Sequence, residues 1–232
     1  MHLVEVNLAE PGIELYVTPK DPDAVGQGWE YRLRWTPFVA NEEELSVVIN
    51  ATVFASERRW MQWPGDWGRS LETAISEHEV NHVSPNSYLL WFEDDLTPHL
   101  EKSKPPSRDA LRRARWSVSS EIVVLSDRRV NAFAGRRAEP EILAGIDPRR
   151  KRLYLAAFAH ASAARAASVL AEHGAVDAIL LDSGHSAGMT IGKGSHGLRS
   201  GTLLWPTRAV ATHFGVRARA FSTALSTTGW AN

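Results

Sequence analysis

The segment 180–192, LLDSGHSAGMTIG, places a carboxylate directly after an apolar run and follows it with glycines and several hydroxyl-bearing side chains. A buried strand delivering Asp182 into such a turn would present an acidic group at a sheet edge, with room for a ligand beside it. The same aspartate could instead close the turn by accepting hydrogen bonds from backbone N–H groups. Asn50 is a second polar residue in an unusual place, because it interrupts the apolar run SVVINATVF at 46–54. A buried amide requires partners, so a polar group from elsewhere in the chain is expected to meet it.

A competing chemistry is written at His78-Glu79-Val80-Asn81-His82, which matches HExxH. On a helix, histidines at i and i+4 share one face and can bind zinc while the glutamate activates water; Glu101 or His99 would then be the third ligand. The flanks are polar and Pro85 would cut the helix short, so two solvated histidines are the expected reading. Trp60, Trp63 and Trp67 recur around Pro64-Gly65. They could stack on a sugar ring or pack a loop onto a sheet, and packing is the expected role, with one or two lining a cleft.

Elements must bring these residues together. Alternating or continuous apolar runs suggest strands at 2–7, 13–18, 31–35, 46–54, 88–92, 121–125, 141–146, 153–158 and 176–181, with a last one at 209–216. Ser162 can cap a helix that runs to His173 and stops at Gly174. Short helices are also expected after Ser107 and across 71–82. Many strands, few helices and one clear strand–helix–strand unit point to an α+β fold: a single domain, 1–232, with a large mixed twisted β-sheet.

Composition narrows the classes. With 232 residues, 44% hydrophobic and 23% charged, the chain has the make-up of a globular domain rather than a disordered or collagenous one. Zero cysteines exclude disulfides, thiolate metal sites and a cysteine nucleophile. No leader-like or membrane-spanning stretch is expected, and the compartment stays open. Residues 1–101 hold 6 Lys/Arg against 18 Asp/Glu, and residues 102–232 hold 20 against 9. The basic clusters Arg112-Arg113, Arg128-Arg129, Arg136-Arg137 and Arg149 to Arg152 are short and lie between apolar segments. Solvated turns, not a nucleic-acid face, are the expected reading.

LLDSGHSAGM, through Asp182, Gly184, Ser186 and Met189, resembles the N-L-D-G-G-G-S-S-T-M signature of the phosphodiester glycosidase family. Asn50-Ala51-Thr52-Val53-Phe54 falls on that family's N-G-G-F-F segment, and Arg208-Ala209-Val210-Ala211-Thr212-His213 on its R-P-V-A-N-A segment. The opening hairpin and the AEPEILAGIDPRRKRLYLAAF stretch fall in their family places too, so the resemblance covers nearly the whole chain. Glu141 stands where the family pattern has an arginine. The resemblance implies a hydrolase of sugar-1-phosphodiesters in a phosphorylated carbohydrate or exopolysaccharide, in a family often exported, with no cofactor or metal. It implies Asp182, Arg208 and Asn50 as catalytic residues, and Ser183, Gly184, His185, Ser186, Thr212 and His213 as substrate-binding ones. Arg208 would hold a phosphate bidentately, or else pair structurally with a buried carboxylate. Asp182 would act as nucleophile, base or stabiliser of oxocarbenium charge. His185 and His213 could add acid–base chemistry or metal ligation. A non-catalytic carbohydrate-binding protein of the same fold is the alternative, and the HExxH zinc hydrolase a further one.

Overall fold

The computed structural model describes residues 1–24, 26, 28–58, 62–131, 137–193 and 200–219. Three sheets carry most of the strands. The largest has six strands in the spatial order His2–Asn7, Arg152–Ala161, Glu139–Asp147, Asp177–Ser183, Val123–Ser126, Arg129–Val130. A second runs Gly201–Leu204, Met189–Ile191, Val47–Asn50, His213–Ala218, Ile13–Val17. The third runs Pro98–Glu101, Tyr88–Phe92, Trp116–Ser120, Ala74–Ser76, Glu79–His82, and a small three-stranded sheet joins Tyr31–Arg32, Trp67–Ser70 and Phe54–Ser56.

Strand alternation explains how the three sheets share one core. Ile142, Ala144, Ile146, Leu153, Leu155, Ile179 and Leu181 from the first sheet meet Val47, Ile49, Phe214 and Val216 from the second. Leu90, Phe92, Trp116 and Val118 of the third join the same cluster. Every second residue along these strands points the other way and needs its own cover. A single helix supplies it for each sheet. Leu143, Tyr154 and Ala156 pack under the alanines of Ala163–Glu172, Val48 packs with Val39 and Ala40 of Thr36–Glu42, and Leu89 and Trp91 pack with Ala110 of Arg108–Arg113. The Ser162 hydroxyl caps the Ala163–Glu172 helix by accepting from the Arg165 N–H at 3.3 Å, and Gly174 follows it at φ 107°, as the sequence led us to expect.

The mixed sheet expected from the sequence is not formed: among the described residues every strand pairing is antiparallel. The strand–helix–strand unit shows why. Arg152–Ala161 and Asp177–Ser183 are joined by a helix, yet Glu139–Asp147 lies between them and pairs with both. The crossover skips one strand, so no parallel ladder results. The expected helix across 71–82 is instead a hairpin, Ala74–Ser76 with Glu79–His82, turned by Glu77 and His78 at φ 49° and 67°. Two consecutive left-handed residues suit the twist of a tight hairpin, and burial of Ala74, Ile75 and Ser76 in the sheet overrides helix propensity. The run 46–54 is also not one strand, because it leaves the second sheet at Asn50 and enters the small sheet at Phe54.

Close approach fixes one glycine. A Cβ on Gly192 would lie 1.8 Å from the Leu45 carbonyl oxygen, a backbone atom that cannot step aside. Gly192→Ala should therefore cost about 1–3 kcal/mol, lowering Tm by roughly 2–12 °C at this chain length. Thermal denaturation of the purified variant checks this.

Candidate functional site

Asn50 ends its strand, and its side-chain amide spans the gap between two sheets. Asn50 Nδ2 donates to Asp182 Oδ2 at 2.9 Å, and Asn50 Oδ1 accepts from the Gly188 N–H at 2.9 Å. The two strands are not neighbours: Asn50 pairs with His213 in the second sheet, while Asp182 pairs with Ile142 in the first. The contact therefore crosses between sheets at the mouth of the core. Gly188 is confined as well, since a Cβ there would come within 3.1 Å of Pro206 and Thr36.

Asp182 is half-buried and well held. Its Oδ1 accepts from the Ser183 N–H at 2.8 Å, and the Ser186 hydroxyl also hydrogen-bonds its carboxyl. Arg208 Nε donates to Ser186 Oγ at 2.7 Å, so Ser186 links the guanidinium to the carboxylate. The guanidinium carbon lies 5.4 Å from the centre of the Phe54 ring. Burial pushes the Asp182 carboxyl up to about 6, against the lowering influence of the Ser183 N–H, Arg208, Asn50 and Ser186. It is ionised at neutral pH by a modest margin.

Asn50, Asp182 and Arg208 thus converge, Arg208 by way of Ser186. Of the substrate-binding candidates, Ser183 and Gly184 are partly exposed and His185 is exposed, its Nδ1 2.9 Å from Thr207 Oγ1. Ser186, Thr212 and His213 are buried. Thr212 Oγ1 bonds Thr52 Oγ1 at 2.7 Å and accepts from the Thr52 N–H at 3.0 Å, which holds the backbone just beyond Asn50. The His213 ring is fully buried, and burial first, then the Arg34 charge, pushes its pKa down to about 3, so it is neutral.

Two acidic residues crowd Asp182: Glu72, which sequence reasoning missed, and Glu141, noted from the sequence only as a departure from the family pattern. Glu72 and Glu141 are 4% and 3% exposed, and the Oε2 of each has no hydrogen-bond partner among the described residues. Burial pushes the Glu72 carboxyl up to about 8, with Glu121 and Asp182 adding to it. Burial raises Glu141 to about 8 too, with help from Glu139 and Asp182. Glu141 sits opposite Ser183 across the strand pair; Glu72 reaches the site from the other side, its Oε1 accepting from the Glu121 N–H at 3.1 Å. Glu141 opens an apolar strand after Pro140, which hints at burial. Glu72 has no such local signal.

The HExxH histidines do not converge on a metal. They sit on the hairpin rather than a helix, His78 Nε2 lying 2.9 Å from Asp94 Oδ1 and His82 Nδ1 2.9 Å from Glu30 Oε1. His99 Nε2 lies 2.7 Å from Glu93 Oε1, with its ring stacked on Trp91. Glu101 accepts from the Ser103 and Ser107 hydroxyls. Each candidate ligand has its own partner, and no group of three or more among the described residues is placed to hold a metal. Of the tryptophans, Trp67 is buried with the Arg32 guanidinium over its ring, Trp63 is exposed, and Trp60 lies outside the described residues. Arg149 and Arg150 occupy an exposed turn as expected; Arg136 lies outside the described residues. No described helix is long and apolar enough to cross a membrane.

No family model and no curated protein matches the sequence. Solved structures do match. Over 94% of this chain and 89% of the other, the fold is similar to the catalytic domain of zebrafish N-acetylglucosamine-1-phosphodiester α-N-acetylglucosaminidase auto-inhibited by its pro-peptide, with TM-score 0.64 and 13% identity. A hypothetical Synechocystis protein is 14% identical with TM-score 0.55, over 94% of this chain and 59% of that one. A Burkholderia pseudomallei protein is 10% identical with TM-score 0.55, over 93% and 73%. At these identities the likeness is one of fold.

The raised carboxyls carry a stability signature. The folded chain holds protons on Glu72 and Glu141 up to pH about 8, whereas the unfolded chain releases them near the ordinary glutamate value of about 4.3. Their contribution is therefore fully present below about pH 4 and is lost as pH rises towards 8. Thermal melts from pH 5 to 9 should show Tm falling across this window, and Glu72→Gln and Glu141→Gln should each flatten the fall.

Proposed function

We propose that the chain is a hydrolase acting on a sugar-1-phosphodiester, with Asp182 facing the anomeric carbon and Arg208 facing the phosphate. The observation that carries this reading is the convergence of Asp182, Asn50 and Arg208, from three separate parts of the chain, at the mouth of the core. The similarity of fold to a catalytic domain whose name specifies a glycosyl phosphodiester substrate supports it.

In the reaction, the C1–O bond breaks and its electron pair stays on the phosphate oxygen. Water supplies the hydroxyl that C1 gains and the proton that completes the products. A phosphate is a good leaving group, so charge placement matters more than a strong general acid. Arg208 Nε is anchored on Ser186 Oγ, and its planar fork suits an anion. Asp182, oriented by Asn50 and the Ser183 N–H, would stabilise positive charge growing at C1, attack it, or take the proton of the incoming water.

Hydrolysis of glycosyl phosphodiesters, followed as release of reducing sugar and phosphomonoester, tests the reading. Asp182→Asn should lower kcat about 1,000-fold while the variant stays folded, because the amide can keep its contact with Asn50 after a flip. Arg208→Ala should weaken inhibition by inorganic phosphate about 10- to 100-fold, the range for losing a charged hydrogen-bond partner. Because Asp182 must be ionised, the wild-type rate should fall on the acid side of about pH 6. Carbohydrate binding without turnover, in every buffer and with metals added, would instead favour a non-catalytic carbohydrate-binding protein.

A further inference from the structure

Beside Asp182 lies a cleft of about 260 Å³ lined by Val53, Leu71, Glu72, Ser120, Glu121, Ile122 and residues 180–183, with Arg208 not in the lining. Two features separate it from the phosphate side. Its lining holds three carboxyl-bearing residues, Glu72, Glu121 and Asp182, and no lysine, arginine or histidine. Lys104, the cation that acts on Glu72, does not line the cleft; it donates to the Glu121 carbonyl at 2.9 Å and lies 4.2 Å over the Tyr88 ring. Such a lining repels an anion.

The rim is aliphatic. Val53, Leu71 and Ile122 are 42%, 44% and 40% exposed, an arrangement that offers C–H surface to a ring face. Below them Glu72 is almost wholly buried with Oε2 unpartnered, and a buried polar atom without a partner costs free energy unless a ligand or water supplies one. Ser120 cannot supply it while its hydroxyl donates to the Leu180 carbonyl. An aliphatic rim, a lining without a cation and a buried carboxyl whose Oε2 lacks a partner together suit a neutral, hydroxyl-rich ring. The volume lies near the low end for small-molecule sites, about 300–1,000 Å³, and so suits one ring better than a chain.

We propose that this cleft seats the neutral sugar ring of the ligand, with Glu72 as the residue that hydrogen-bonds a ring hydroxyl and so sets specificity for the sugar. The proposal rests on the hydrolase reading for its placement of the phosphate at Arg208, and it adds where the rest of the substrate lies. The charged and titratable groups facing Glu72 are Glu121, Asp182 and Lys104, from the Trp116–Ser120 side, the Asp177–Ser183 strand and the 102–107 loop. Two of the three are acidic, and with burial they keep Glu72 in its neutral, donating form at pH 7. Ionisation above about pH 8 would remove the donor and add a third negative charge to the cleft.

The test uses the intact chain and a panel of methyl α-glycosides of glucose, galactose, mannose and N-acetylglucosamine, with binding followed by saturation-transfer NMR and calorimetry. At pH 6.5 at least one glycoside should bind, with inorganic phosphate failing to displace it. Affinity should fall at least 10-fold between pH 6.5 and 9. Glu72→Ala should weaken binding at least 10-fold, whereas Glu72→Gln, which keeps a donor but cannot ionise, should bind with no pH dependence in that range. Melts of both variants at pH 6.5 verify folding. Absence of glycoside binding, binding indifferent to Glu72→Ala, or competitive displacement by phosphate would each overturn the proposal. The two readings fail separately. Phosphodiester hydrolysis indifferent to Glu72 would remove the sugar subsite and leave the hydrolase, while Glu72-dependent glycoside binding in a protein that hydrolyses no phosphodiester would do the reverse.

Discussion

The Asn50 side chain is the joint on which the site depends. Asn50 leaves the second sheet at a point where its amide can reach Asp182 of the first sheet with one end and the Gly188 backbone with the other. Both contacts are near 2.9 Å, and Asn50 itself is 1% exposed. Because one amide serves a carboxylate and a backbone N–H at once, its orientation is fixed: the nitrogen must face Asp182 and the oxygen must face Gly188. An apolar residue of similar size would strand both partners in a buried place, at roughly 1–3 kcal/mol each. The sheets are pinned to each other where they would otherwise separate, and the same bond aims Asp182.

Around that joint the electrostatics are set by scarcity of positive charge. Asp182, Glu72, Glu141 and Glu139 gather within mutual influence, with Arg208 acting on Asp182 and Lys104 on Glu72. Full ionisation of this group would place several negative charges at the edge of a hydrophobic core. Burial resolves the conflict by holding Glu72 and Glu141 neutral, and it leaves Asp182, which has Arg208, Asn50, Ser183 and Ser186 in support, to ionise before either of them. The division of labour follows from environment, since Glu72 and Glu141 each keep an oxygen without a partner. An anion arriving at Arg208 therefore meets the Asp182 carboxylate with Glu72 and Glu141 uncharged.

The sequence was legible where a local pattern reports a local structure. Ser162 and Gly174 mark the ends of one helix because capping and left-handed backbone are properties of single residues. Asp182 after an apolar strand and Asn50 within one could be singled out because each breaks a pattern that burial otherwise imposes. Sheet membership was not legible, since hydrophobic runs do not state their partners; 46–54 reads as one strand although its two ends join different sheets. A polar partner for Asn50 was expected, but not that it would come from another sheet, as Asp182 does. The helix expected across 71–82 is a hairpin because its residues suit a helix only if nothing else claims them, and the strand Trp116–Ser120 claims Ile75. Glu72 was invisible for the opposite reason: its surroundings come from segments about 50 and 110 residues away.

The architecture explains why the site lies where it does. Each of the three sheets turns one face to the common core and the other to its own short helix, so the sheet faces are spent on packing. Polar chemistry can then be presented only where strands end and the sheets diverge. Val47–Asn50 and Asp177–Ser183 both end there, and the chain leaves them through Ala51-Thr52 and Gly184, whose backbones are held by Thr212 and a left-handed turn at φ 66° respectively. A residue at a strand end keeps the rigidity of the sheet behind it and gains an unpaired side to offer to a ligand. Asp182 has both properties, and moving it one residue earlier would point it into the core, because the direction of a strand side chain reverses at each step.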